Sequence, residues 1–406
     1  MQVYTEWNAR QTASILKDTQ VRYQGGVKSE ILTDIAQGTE VIVLEEMEKW
    51  SKVKTEDAFI GYVENKRLSE QTTAEPVPVT EYTEPVYESN TRDHKINLAW
   101  HVVASVGGND TLIPLMEETK SINVISPTWF ALSDNSGNFT SFASKNYVDT
   151  AHDMGLEVWG LIDNFSNAGV DTYEVLAGLS TRQHLINGLV ETALQYGLDG
   201  INIDFENISL EAGEPFIEFI RELSIPCREH GIVLSVDNYV PMGYTDHYER
   251  EEQGIVADYV IIMGYDEHHK NSETTGSVAS IDFVESGIAD TVAQVPAHKV
   301  INAIPLYTRI WETRGTTIDS QAVGIETARQ YLTDHGITTA WDEATCQNYG
   351  EYQSGDTYYQ VWMEDEDSIR VKLNIMSKYG IAGVAEWQLA FGDSAVWDVI
   401  EEYMNQ

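Results

Sequence analysis

Four short stretches share one junction. "MGLEV", "YGLDG", "HGIVL" and "YGIAG" each set a glycine between an amphipathic, helix-like run and an apolar, strand-like run. Glycine closes a helix in the left-handed conformation without steric penalty. A junction repeated in this way means that helices feed strands over and over, which constrains the chain to an α/β fold with parallel strands. Eight apolar runs follow one another after residue 94: "KINLAWHVV", "SINVISPTWFAL", "LEVWGLIDNF", "LDGINIDFEN", "IVLSVDNYV", "DYVIIMGYD", "KVINAIPLYTRIW" and "IAGVAEWQLAF". Helical periods such as "RQHLINGLVETALQYG" lie between them. Eight strand–helix units over residues 95–406 predict a TIM (β/α)8 barrel. A doubly wound open sheet is the alternative, but no glycine-rich phosphate loop follows the first strand. The segment between "PLYTRIW" and "IAGVAEW" is too long for one connection. It predicts a helix plus a hairpin, inserted over the barrel mouth between strands 7 and 8.

Residues 1–68 have a different texture. "TEVIVLEE", "WSKVKT" and "FIGYVE" are short runs of β-branched and aromatic residues broken by turn signals, which predicts a small all-β barrel. With Trp50 and Leu68 the pattern resembles a bacterial SH3-like domain; such domains often bind cell-wall components, and a spacer module is the alternative. Residues 69–94 are dominated by Glu, Thr and Pro and read as a linker, whose Tyr82 and Tyr87 suggest that it lies along a neighbouring domain.

The chain carries 65 acidic against 25 basic residues, a net charge of −40. That excludes nucleic acid and an anionic membrane surface as natural partners. No apolar run is long enough to span a membrane, and "MQVYTEWNAR" is not a signal peptide. Cys227 and Cys346 read as small buried side chains, too few for a disulfide framework.

The chemistry concentrates in "DGINIDFE", Asp199 to Glu206. Strand side chains alternate faces, so Asn202, Asp204 and Glu206 share one face and Ile201, Ile203 and Phe205 the other. The apolar set belongs against the helices, which turns the polar trio to the barrel axis at the strand's C-terminal end, where catalytic groups of such barrels sit. Two adjacent carboxylates in different surroundings suit acid–base work. His101, His268 and His269 also fall at strand ends, but no metal-ligand spacing accompanies them. The sequence calls for no metal and no cofactor.

This stretch resembles the D-G-x-D-x-D-x-E signature of glycoside hydrolase family 18, the family of the chitinases. "MGYD" (Met263 to Asp266), "PLYTR" (with Tyr307 and Arg309) and Trp387 in "GVAEWQL" match its later motifs in order. The SH3-like module brings the resemblance nearest to bacterial cell-wall and spore-cortex N-acetylglucosaminidases. The resemblance implies a retaining, substrate-assisted mechanism. Glu206 is then the general acid and base. Asp204 orients the 2-acetamido group, Tyr265 hydrogen-bonds its oxygen, and Trp387, followed by a non-proline cis bond, floors the sugar. Met263, Asp266 and Tyr307 line the substrate site, Arg309 contacts a substrate oxygen or braces a carboxylate of the mouth, and Tyr239 and Trp311 are further cleft candidates. Asn202 stands where the commoner pattern has aspartate. Its NH2 is expected to donate to Asp204 and leave that carboxyl more readily ionised than a second aspartate at this position would.

The implied partner is a polysaccharide containing N-acetylglucosamine: peptidoglycan, spore cortex or chitin. The implied location is extracytoplasmic, secreted or cell-wall associated, with the targeting segment outside this chain. The competing readings are a non-catalytic lectin or scaffold on the same fold, and a metal-dependent deacetylase. The presence of Glu206 favours the enzyme.

Overall fold

A computed structural model describes residues 9–74 and 88–406, which divide into two units. The first holds seven strands in one antiparallel sheet. Its core is Ala13, Ile15, Val21, Ile35, Val41, Val43, Val53 and Val63, small β-branched residues for the most part, as a tightly curved sheet requires. Its last strand, Thr72–Ala74, pairs with Arg10–Ser14. The stretch read as a linker therefore begins inside this sheet. At its other end Ser89 and Asn90 donate hydrogen bonds to Asp258, and Arg92 forms an ion pair with Glu157 at 2.6 Å. The middle of that stretch, with Tyr82 and Tyr87, lies outside the described residues.

The second unit is the expected barrel. Its strands are β1 (Ile96–His101), β2 (Val124–Pro127), β3 (Glu157–Asp163), β4 (Gly200–Asp204), β5 (Val233–Tyr239), β6 (Tyr259–Met263), β7 (Val300–Pro305) and β8 (Gly383–Trp387). Each pairs in parallel with its neighbour, and β8 with β1 closes the ring. The four junction glycines, Gly155, Gly197, Gly231 and Gly380, all have positive φ and end their helices. Ile201, Ile203 and Phe205 join the outer core against the helices. The inner core holds Leu98, Trp100, Trp159, Leu161, Tyr259, Ile261 and Ala385. Trp159 fills the lower barrel because β4 offers Gly200 there; a Cβ at that position would lie 2.6 Å from the indole.

The insertion is larger than a helix plus a hairpin. Strands Tyr307–Arg314, Thr317–Gly324, Ala340–Asp342, Gln347–Ser354 and Thr357–Met363 form a five-stranded antiparallel sheet, with helix Ile325–Asp334 against one face. It starts earlier than the apolar pattern suggested. "KVINAIPLYTRIW" is two strands, β7 and the first strand of the insertion, parted at Leu306.

Where the insertion rejoins the barrel, Glu364 and Lys372 form a buried ion pair at 2.9 Å, completed by Gln347 and Ser368. Burial pushes the Glu364 carboxyl up to about 7 against the pull of Lys372. Removing one partner of such a pair strands the other charge. Lys372→Met should therefore cost about 3–5 kcal/mol at pH 8. A carboxyl raised in the folded state is favoured while protonated and loses that stability as pH rises through its folded value. The cost should shrink towards pH 5, and urea unfolding of both proteins at the two pH values checks it.

Candidate active site

The inner face of the barrel opens at the C-terminal strand ends into a cavity of about 240 Å3. Trp100, Phe165, Asp204, Glu206, Asp237 and Tyr239 line one part, and Met263, Tyr265, Asp266, Tyr307 and Trp387 the rest. The alternation read from "DGINIDFE" places Asp204 at the end of β4 and Glu206 just beyond it.

Glu206 is held twice. The Tyr239 hydroxyl donates to its Oε2 at 2.5 Å. Asn164 clamps its backbone, accepting from the N–H at 2.8 Å and donating to the carbonyl at 2.9 Å. Burial raises the Glu206 carboxyl above the ordinary range, the Tyr239 hydrogen bond pulls it down, and Asp266 and Asp163 push it up again. A raised carboxyl can carry a proton to a substrate near neutral pH. Tyr239→Phe removes the one downward influence. The basic limb of the pH–rate profile should move to higher pH, and kcat/KM measured across pH 4–9, an assay range of roughly the width such profiles need, tests this.

Asp204 is buried, and its Oδ1 has no hydrogen-bond partner. Burial, then Asp237, then Glu206 push its carboxyl well above the usual range. Here the sequence reading needs correction. Asn202 donates not to Asp204 but to Asp237 Oδ1 at 2.8 Å and Ser235 Oγ at 3.0 Å. Its own Oδ1 accepts from the Trp100 indole at 2.9 Å and from Ser126 at 3.1 Å. Asn202 is fully buried beneath the cavity and does not line it, and the carboxyl that pushes Asp204 up from the next strand is Asp237.

The Tyr307 hydroxyl donates to Asp266 at 2.6 Å, and Arg309 lies 3.7 Å from the same carboxylate. Arg309 thus braces Asp266 from the insertion and does not itself line the cavity. Tyr265 stands edge-on to Tyr307, and burial together with Asp204 raises its hydroxyl far above the ordinary value. The peptide bond after Trp387 is cis, and its indole lies 5.9 Å from that of Trp100. Trp311 is a second correction: it is fully buried and donates to the Gly276 carbonyl at 2.8 Å, because its strand belongs to the insertion and turns it under the loop after β6.

The histidines take other parts. His101 bonds the hydroxyls of Tyr147 and Thr111, and burial lowers it to about 4, so it is neutral. His268 bonds the Ser277 carbonyl. Asp237, Phe165 and Asn164 are the functional neighbours that the motifs did not pick out. Asp237 was legible by the same alternation in "SVDNY", since it shares a face with Ser235 and Tyr239.

Residues 17–69 match the Bacterial SH3 domain. A Bacillus subtilis protein described as the sporulation-specific glycosylase YdhD is 32% identical over 269 residues, covering 60% of this chain and 60% of that protein. The cortical fragment-lytic enzyme of Bacillus subtilis is 24% identical over 236 residues, 56% of this chain and 54% of the enzyme. The chain thus spans less than two thirds of the length of either relative. The spore cortex-lytic enzyme SleL of Bacillus cereus shares the fold, with a TM-score of 0.69 at 20% identity over 77% of this chain and 75% of that one. Residues 133–392, more than half of the sequence and all of the strand ends around the cavity from β3 to β8, match Glycosyl hydrolases family 18, and the chain belongs to that family.

Proposed function

We propose that this protein is a retaining glycoside hydrolase that cleaves β-1,4-linked N-acetylglucosamine glycosides by substrate-assisted catalysis. The observation that carries this reading is the pairing of two unlike carboxyls in one small cavity: Glu206, hydrogen-bonded and raised, beside Asp204, buried with one oxygen unpartnered. Glu206 protonates the glycosidic oxygen. Asp204, held towards its protonated form, is a poor nucleophile, so the substrate's own acetamido oxygen attacks the anomeric carbon. The Asp204 carboxyl, which lines the cavity, accepts the acetamide N–H and faces the cation that develops on the ring. Tyr265 donates to the acetamide oxygen. Trp387 offers its indole face to the apolar side of the sugar. Glu206, now ionised, takes a proton from water, and two inversions give net retention.

The SH3-like unit and the relatives named for cortex lysis favour peptidoglycan of the cell wall or spore cortex over chitin, and an extracytoplasmic place of action. The test is release of chromophore from a chitobiose or chitotriose glycoside, followed by mass spectrometry of products from purified cortex, vegetative peptidoglycan and chitin oligomers. Retention of the β-anomer by NMR supports the mechanism. Oligosaccharide binding with no turnover of any substrate supports a lectin instead.

A further inference from the structure

The buried polar ring under the cavity assigns a task to Asp237. Asn202 has a fixed orientation. An indole N–H can only donate, so the Asn202 atom facing Trp100 is its oxygen and the NH2 faces β5. That NH2 donates to Asp237 Oδ1, a hydrogen bond from a neutral amide and not from a lysine or arginine. In the β4–β5 pairing Ile203 lies beside Val236, so the next residues, Asp204 and Asp237, stand side by side on the inner face, on strands about 4.8 Å apart. Both are buried and both line the cavity. Two carboxylates this close in a dry site cannot both ionise.

We propose that Asp237 is the proton partner of Asp204: the two carboxyls hold one proton between them, and Asn202 is the fixed donor that orients Asp237 for the exchange. This rests on the role given to Asp204 above. Before reaction the proton favours Asp204. As positive charge develops on the sugar, it passes to Asp237 and leaves Asp204 anionic where the charge is needed. No proton enters or leaves the pair. Burial raises both groups, and the Asn202 hydrogen bond alone pulls Asp237 down. The other titratable groups that face the pair are Asp163 from β3, Glu206 beyond β4, Tyr239 from β5, Tyr248, and Tyr265 beyond β6. From β1, β2, β7 and β8 come Trp100, Ser126, Ala303 and Trp387, none of which carries charge.

Asp237 is thus a positioning residue, and its effect should show in protonation as well as in rate. Carboxyl carbon NMR on the intact protein, labelled at aspartate, should find one carboxyl of the pair still protonated at neutral pH. In Asp237→Asn, Asp204 should ionise at a lower pH than in wild type; an unchanged Asp204 titration overturns the proposal. In kinetics, Asp237→Asn should lower kcat by on the order of 10²-fold. The exchange Asn202→Asp with Asp237→Asn returns a carboxyl to Asp204's side and should recover at least about tenfold, a factor worth 1.4 kcal/mol. A loss that the exchange does not recover, with the pH profile unmoved, makes Asp237 merely structural and overturns the assignment. If Asp237→Asn does not fold, Asn202→Asp alone decides: a third carboxyl in the ring must retain one further proton at neutral pH, and its absence overturns the pair. A wild type inert on every N-acetylglucosaminide but with the shared proton present removes the functional reading and still supports the pair.

Discussion

Glu206→Gln should lower kcat by about 10²–10⁴-fold while leaving KM within a few fold, the range expected for loss of a positioned proton donor. The variant is close to isosteric. Tyr239 can still donate to the amide oxygen, and the Asn164 clamp acts on the backbone, so the site should keep its shape. What is lost is the proton. The deficit should therefore depend on the leaving group: largest for a natural sugar, whose alkoxide needs protonation, and much smaller for a nitrophenolate, which departs unaided. Turnover of chitotriose and of its nitrophenyl glycoside, measured side by side, reads this directly. Equal deficits on both would mean that Glu206 does not protonate the leaving group.

Asp204→Asn should cost about 10²–10³-fold in kcat, the scale for removing one preorganised electrostatic contact to a transition state. The loss should be insensitive to the leaving group, because Asp204 acts on the acetamide and the cation and not on the departing oxygen. That contrast separates the two carboxyls. Asp204→Asn also removes one of two close, buried carboxyls and should leave the fold intact, which thermal unfolding can check. A variant with near-normal rates would mean that the Asp204 carboxyl is not where the acetamide binds.

How far the sequence reached follows from the range of each interaction. Alternation on one strand is local, so the inner placement of Asp204 and Glu206 and the outer placement of Ile203 and Phe205 were legible from eight letters. So was the barrel, since its glycine junctions are local too. The partner of Asn202 was not. A hydrogen bond from β4 to β5 depends on register between strands, and register depends on every neighbour in the ring. Trp311 misled for a different reason. The apolar run "NAIPLYTRIW" does not betray the break at Leu306, because the insertion's strand is as apolar there as the barrel's. The insertion's strand "TIDSQAVG" is polar enough to pass for loop, since most of it is exposed or only partly buried.

The amide of Asn164 joins the loop after β3 to the chain just past β4 with two hydrogen bonds, one in each direction. Two loops tied in this way are a single inherited module. Exchanging the β4 loop for that of another enzyme to change substrate length would break the tie and let the acid drift, while exchanging the β3 and β4 loops together would carry it along. Recombination between relatives should be productive at crossovers that keep residues 163–207 from one parent, and unproductive at those that divide them.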